Sequence, residues 1–152
     1  MKRSSSAEDA ENEAGPHIDI RIVDTSVWIR ADRKKKSEFQ HRLKALVVAG
    51  TAHICWPVRV ELLIGSKNDE RFQTLDEQLS ILPHLPITDI AWRESARIGQ
   101  KLARSGQTVS LVDLLIAAAA IEANMTLWTV DGDFKRVAAV TDLHVDWYGF
   151  TD

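Results

Sequence analysis

Asp24, Glu61, Asp113 and Asp131 are the residues in this chain whose types and surroundings could do chemistry. Asp24 follows Ile20, Ile22 and Val23 in "IDIRIVDTSVWIR", at the join of a strand-like run and a helix-like one. Glu61 sits in "VRVELLIG" among Val60, Leu62, Leu63 and Ile64, and Arg59, two residues away, projects elsewhere on a helix. Asp113 lies in "LVDLLIAAAAIEA", where Glu122 is the only other ionisable side chain and no cation stands three or four residues away. A carboxylate buried unpaired in such a helix is costly. Asp131 directly follows "TLWTV", and Asp133 is the second acid of "DGD". If these acids converge, they repel one another and raise each other's pKa values. A divalent cation resolves that conflict. An all-oxygen ligand set favours Mg²⁺ or Mn²⁺ over zinc, and the chemistry it suits is metal-assisted phosphodiester hydrolysis.

Each acid also has a plain structural explanation. Asp24 and Asp133 can cap helices, Glu61 can occupy an exposed helix face, and Asp131 can belong to an Asp-Gly turn. Asp113 is the hardest to explain that way, and the joint pattern outweighs any member.

The elements that must position these acids follow from periodicity and breakers. Strands are expected at 18–23, 53–56, 126–130 and 143–145, with a further short candidate in "HLPI". A short helix capped by Thr25 or Ser26 leads into the basic turn "RADRKKK". A second starts near Ser37, where Ser37 and Gln40 fit a capping box, and Gly50 ends it. Helices are also expected over "VRVELLIGS" up to Gly65, over 69–82, and over 88–105 with Trp92, Ala96, Gly99 and Leu102 on one face. The 111–123 segment is apolar on nearly every side, so it should be a central buried helix. A last helix spans 134–140. Strands alternating with helices point to a three-layer α/β domain with a mainly parallel sheet.

A chain of 152 residues with 45% apolar and 27% charged residues is expected to be one globular domain. Residues 1–17 read as a disordered leader ending at Gly15-Pro16, and residues 18–152 as the folded domain. Lys2 and Arg3 stand against Glu8, Asp9, Glu11 and Glu13 in that leader, so the remainder is close to neutral and no polybasic binder. The one cysteine, Cys55, excludes an internal disulfide and reads as a small buried strand residue; the five histidines show no zinc spacing. No apolar run reaches the ~18 residues of a membrane span, and no signal peptide is evident, so a cytoplasmic protein is expected.

The segments "IVDTSVWI", "VELLIGS", "DLLIAAAAI" and "TVDGDF", in this order and at these separations, resemble the PIN-domain ribonucleases, specifically the VapC toxins of type II toxin–antitoxin modules. The resemblance covers roughly residues 18–147. It implies a PIN-like three-layer fold and Mg²⁺-dependent RNA cleavage. Asp24, Glu61, Asp113 and Asp131 would surround the metal, with Asp133 assisting and Thr25 or Ser26 adding a hydroxyl. It also implies a cognate VapB-like antitoxin, a homodimer, and transfer or ribosomal RNA as substrate.

An acidic site needs nearby cations to hold RNA, and Arg30, Arg33, Lys34, Lys35 and Lys36 are candidates, although a solvated basic turn explains them equally. Lys135 and Arg136 follow the other acidic turn. Most of the five tryptophans should be core, Trp28 being the candidate for a partner contact. The helices after Ser37 and Asp69 are candidates for the antitoxin groove. A competing reading is a catalytically idle PIN-like module that binds RNA or antitoxin; the presence of all four acids argues against it. A phosphatase of the haloacid-dehalogenase type would want an aspartate where Ser26 stands, and a receiver domain would want a late strand-end lysine.

Overall fold

In the computed structural model, residues 19–152 are described, so the expected leader lies outside the described residues. The described elements run β1 (Arg21–Val23), α1 (Thr25–Arg33), α2 (Glu38–Val48), β2 (Ala52–His53), α3 (Trp56–Ile64) and α4 (Asp69–Ser80). They continue with α5 (Asp89–Arg104), α6 (Leu111–Glu122), β3 (Thr126–Trp128), α7 (Asp133–Val140) and β4 (Val145–Asp146).

The four strands form one parallel sheet in the order β2-β1-β3-β4. Side chains alternate across it, as strand geometry requires. Ile22 and Leu127 face a core shared with α3, α5, α6 and α7, while Val23 and Trp128 face a second core built by α1 and α2. Helices therefore cover both faces, giving the expected three layers. The chain leaves β1 toward β2 on one side and β3 toward β4 on the other. The crevice between β1 and β3 is thus a topological switch point, where parallel α/β sheets place their sites.

The strands are shorter than the residue pattern suggests. Residues 19–20 lie outside β1, the expected start at 18 lies outside the described residues, and β3 stops at Trp128. The expected 53–56 strand is Ala52–His53, followed only by an isolated bridge from Ile54 to His84, which is all that "HLPI" contributes. Pro83 and Pro86 flank that bridge and cannot donate to a ladder. Cys55 is the N-cap of α3, and Pro57 falls in its first turn, where a missing N–H costs nothing. Cys55 is fully buried, and burial pushes its thiol up to about 11, so it is an inert core residue. The last strand begins two residues later than expected, at Val145.

Two helical expectations are also corrected. Helix α1 does not stop before the basic turn; it continues through Arg30 to Arg33. The buried face of α5 is Ala91, Ser95, Ile98 and Leu102; of the expected stripe Leu102 is buried and Gly99 half-buried, while Trp92 and Ala96 face outward. Trp92 misled because a large aromatic outweighs two small residues in a periodicity count. Trp128 is the one tryptophan fully buried; Trp56 and Trp92 are about half exposed, at 55% and 49%. At the start of α2 the Ser37 side chain accepts from the Gln40 N–H, but the Gln40 carbonyl reaches back to the N–H of Lys36 rather than of Ser37.

Helix α6 meets the expectation closely. Leu114 to Ala120 are buried around its whole circumference, and alanines let neighbours approach on each side. Ala118 is 1% exposed, so a larger side chain there has nowhere to go. Ala118→Leu is expected to destabilise the protein by about 1–3 kcal/mol. Urea denaturation checks this: the midpoint should fall with the slope unchanged.

Candidate metal centre

The register of β1 and β3 builds the site. Val23 is paired with Trp128, and the Asp24 N–H donates to the Trp128 carbonyl at 3.0 Å. Asp24 therefore leaves β1 alongside Thr129, the residue that follows β3. The Thr129 hydroxyl donates to Asp24 Oδ2 at 2.9 Å, and the Ser26 hydroxyl donates to the same oxygen at 2.6 Å. Ser26 Oγ accepts from the Val130 N–H, and Thr129 Oγ1 accepts from the Asp131 N–H. These bonds lock both strand ends together. They fall on Oδ2 and leave Oδ1 uncommitted by them. Asp24 is also the N-cap of α1, its side chain accepting from the Ser26 N–H, as the capping explanation expects. Burial raises its pKa, and the hydrogen bonds from Ser26 and Thr129 oppose that rise.

Asp113 arrives from the other side of the crevice, in the first turn of α6. The Ser110 side chain caps that helix and accepts from the Asp113 N–H at 3.2 Å. Asp131 and Asp133 come from the turn after β3. Asp131 Oδ1 accepts from the Asp133 N–H at 2.9 Å, so Asp131 organises this turn and Asp133 is the first residue of α7 rather than its cap. One carboxylate oxygen from each of Asp113, Asp131 and Asp133 lies within 4.8 Å of the other two.

Asp24 and Glu61 stand outside that tightest group yet within its field. Burial first, then the charges of Asp24, Asp131 and Glu61, push the Asp113 carboxyl up to about 7. Glu61, on α3, is exposed, and the Thr25 hydroxyl donates to its Oε1 at 2.8 Å. Arg59 turns away from the site, as expected: it pairs with Asp76 and lies 4.2 Å over the Trp56 ring. Among the described residues, no ion pair involves Asp24, Glu61, Asp113 or Asp131; Asp133 alone is bonded by a cation, Arg136, at 3.0 Å.

A divalent cation fits this donor set. Hard oxygen donors converge, cations are absent from four of the five acids, and Asp113 is held near its point of ionisation, the state a cation would complete. Thr129 and Ser110 were not singled out in the sequence. A hydroxyl interrupting the apolar run "TLWTV" just before an acid was the signal for Thr129, and a serine three residues before Asp113 was the signal for Ser110.

Two clefts border the carboxylates. One, of about 840 Å³, includes Ser26 and Asp131 and is walled by Arg30, Arg33, Lys34 and Lys135. Lys35 and Lys36 line neither cleft, so the basic segment divides. The other, of about 900 Å³, has Trp28, Leu62, Leu75 and Leu79 in its wall and Glu61 among its lining residues. It lies between α1, α3 and α4. The helix after Asp69 contributes to it, and the helix after Ser37 does not. Trp28 is half-buried against both cores, its indole N–H donating to the Val23 carbonyl at 3.2 Å, while its edge reaches this cleft.

Residues 21–140 match the PIN domain family model. Ribonuclease VapC11 of Mycobacterium tuberculosis is 34% identical over 126 residues, 80% of this chain and 94% of that protein. Among solved structures, VapBC2 from Rickettsia felis, bound to a DNA fragment from its promoter, is 27% identical with a TM-score of 0.68, covering 84% of this chain and 97% of that one. DNA-bound VapBC from Salmonella typhimurium shares the fold at 21% identity and a TM-score of 0.69, covering 85% and 98%. With acids at adjacent strand ends of a three-layer parallel sheet, and with these relatives, the chain belongs to the PIN domain family and is homologous to the VapC toxins.

Proposed function

We propose that this protein is a Mg²⁺- or Mn²⁺-dependent endoribonuclease, the toxin of a VapBC-type pair. The observation that carries the reading is the convergence of Asp113 with Asp131 and Asp133 within 4.8 Å, in a site where burial and then neighbouring charges push Asp113 up to about 7. Asp113, Asp131 and Asp133 would hold the cation, with Asp24 and Glu61 completing the acidic surround. A bound cation would supply Lewis-acid stabilisation of charge on the phosphodiester and a water of lowered pKa. The chain's own residues do the rest. Ser26 and Thr129 fix the Asp24 carboxylate, Thr25 fixes Glu61, and the Arg30–Lys34 wall attracts phosphate to a site that would otherwise repel it.

The partners follow the same relatives. The cleft lined by Trp28, Leu62, Leu75 and Leu79 suits an amphipathic antitoxin segment, which would cover Glu61 at its edge. The exposed stripe of Trp56, Val60 and Ile64, at successive helical turns of α3, supports pairing of two subunits. No helix of the described residues is long and apolar enough to cross a membrane.

Growth arrest and discrete new RNA ends in bacteria expressing the chain, absent with Asp24→Ala, test the function. Asp113→Asn is expected to stay folded and lose cleavage by about 100-fold or more. A folded Asp113→Asn protein with full activity would sink the site assignment.

Thr129→Val keeps the shape but removes the hydroxyl on Asp24. It is expected to weaken metal affinity or cleavage by roughly 10–100-fold, as loss of an outer hydrogen bond to a ligand does. Titration calorimetry with Mn²⁺ reads the affinity; an unchanged value would show that Asp24 is not held for the metal.

Metal binding should also depend on pH. The folded-state pKa of Asp113 is raised to about 7, so below that pH the carboxyl is neutral and must lose a proton to bind. Affinity should therefore fall by about tenfold per pH unit below 7 and level off above it. Without metal the sign for stability is opposite: this group's contribution is fully present below the ordinary carboxylate pKa and is lost as pH rises toward 7. Asp113→Asn should flatten that decline. Metal affinity independent of pH between 6 and 8 would contradict the ligand role.

A further inference from the structure

The end of the chain is built into the wall of the basic cleft. The Trp128 indole donates to the Tyr148 carbonyl at 3.0 Å, and Arg30 donates to the Gly149 carbonyl. Tyr148 stacks on Phe39 with centroids 6.1 Å apart. Gly149 has φ +80°, and a Cβ there would lie 2.6 Å from Phe39 Cε2, so this crossing admits only glycine. Beyond it the Phe150 ring rests over Gly132 of the "DGD" turn, 3.6 Å from where a Cβ would be, with Trp147 edge-on at 5.1 Å. Lys135 completes the arrangement, its Nζ 4.2 Å from the Phe150 centroid and 2.9 Å from Asp152 Oδ1.

The charges in this cleft are lopsided. Arg30, Arg33, Lys34 and Lys135 face two carboxylates, those of Asp131 and Asp152. Among the described residues, Arg30, Arg33 and Lys34 make no ion pair, and Lys135 is paired only by the exposed Asp152. Spaced cations beside an aromatic ring are the equipment of single-strand binding, in which phosphates follow the cations and a base stacks on the ring. The cleft also contains Ser26 and Asp131, so a strand lying in it runs directly into the carboxylate site. A compact ligand without a backbone would leave the spread of cations along α1 unused.

We propose that the cleft between α1, α7 and the C-terminal segment seats the single-stranded RNA flanking the scissile phosphate, an assignment that rests on the ribonuclease reading above. Arg30, Arg33, Lys34 and Lys135 take its phosphates, and Phe150 takes a base on the face that the Lys135 ammonium leaves when it moves to phosphate. Asp152 holds Lys135 in the free protein, as an anionic stand-in that a phosphate displaces. Phe150 and Asp152 are therefore part of the substrate site and tune its affinity.

Binding of a fluorescent single-stranded RNA 12-mer by the full chain, measured by anisotropy in chelator over a salt series, tests this without cleavage. Phe150→Leu should weaken binding about fivefold or more with the salt slope unchanged, since stacking is not ionic. Lys135→Gln should weaken binding and lower the slope by about 0.7, one phosphate contact on a single strand. Asp152→Asn should tighten binding. Thermal melts of each variant establish that it is folded. Phe150→Leu and Lys135→Gln proteins that bind like the unaltered chain, with the same slope, would overturn the assignment. Cleavage by the unaltered chain with Mg²⁺, run in parallel, separates the two readings. Intact cleavage with unchanged variant binding would remove this cleft and leave the ribonuclease standing. The expected binding pattern without any cleavage would support the cleft and count against the ribonuclease.

Discussion

Like charges held together at the ends of two neighbouring parallel strands set the terms for the rest of this structure. Carboxylates that repel one another separate unless the backbone forbids it. Here the pairing of Val23 with Trp128 places Asp24 beside Thr129 and the turn carrying Asp131 and Asp133. A one-residue slip would invert both strands, because Val23 and Trp128 share one core while Ile22 and Leu127 share the other. The two apolar layers therefore hold the acids together as a consequence of holding the sheet in register. Helix α6 does the same for Asp113. Its buried circumference leaves it no freedom to rotate the carboxylate out of the crevice.

The acids are not equivalent within that constraint. Asp24 is 3% exposed, and its burial is compensated by two hydroxyls and an N–H on one oxygen. A group clad in this way is fixed in place, since leaving a buried polar atom without its partner costs about 1–3 kcal/mol. Asp113 receives less compensation and more repulsion, and its carboxyl rises to about 7. Asp24 is thus a rigid member of the site, and Asp113 is the one whose charge depends on what else is present. The same residues that make the metal-free site uncomfortable raise its hold on a proton near neutrality, so a cation binding there would have to displace one.

Much of this was legible in the sequence, for reasons specific to each residue. Asp113 stood out because an acid without local cations in an all-apolar helix has few structural explanations, and the structure gives its carboxyl the raised pKa such a position implies. The three layers were legible because helical and strand periods alternate. Asp133 was expected only to assist, and its standing relative to Asp131 was not legible, because a turn such as "DGD" can present either acid until the hydrogen bond from the Asp133 N–H to Asp131 is known. The strand ends were overestimated because β-propensity continues past the point where a partner strand exists. The outward face of Trp92 and the exposure of Trp56 escaped because bulk apolar side chains signal burial in a chain and interfaces in an assembly alike. Thr129 escaped because a single threonine after a strand is ordinary until the strand beside it is known.

The net charge of −3 does not describe the surface beside the acids, where Arg30, Arg33, Lys34 and Lys135 gather. Net charge governs solubility and long-range drift, whereas a strand of nucleic acid meets the field within about a Debye length of ~8–10 Å. Over that range the extension of α1 to Arg33 matters more than the total. Had α1 ended at Ile29, as the chain's pattern suggests, Arg30 and Arg33 would sit on a loose turn, screened and poorly aimed. Carried on the helix that Asp24 caps, they are fixed relative to the carboxylates by the same backbone. Asp24 and the Arg30 and Arg33 part of the basic wall therefore belong to one capped helix, while Asp113 comes from α6 and Asp131 and Asp133 from the turn after β3. Loosening the cap would release Asp24 and the helical placement of Arg30 and Arg33 together.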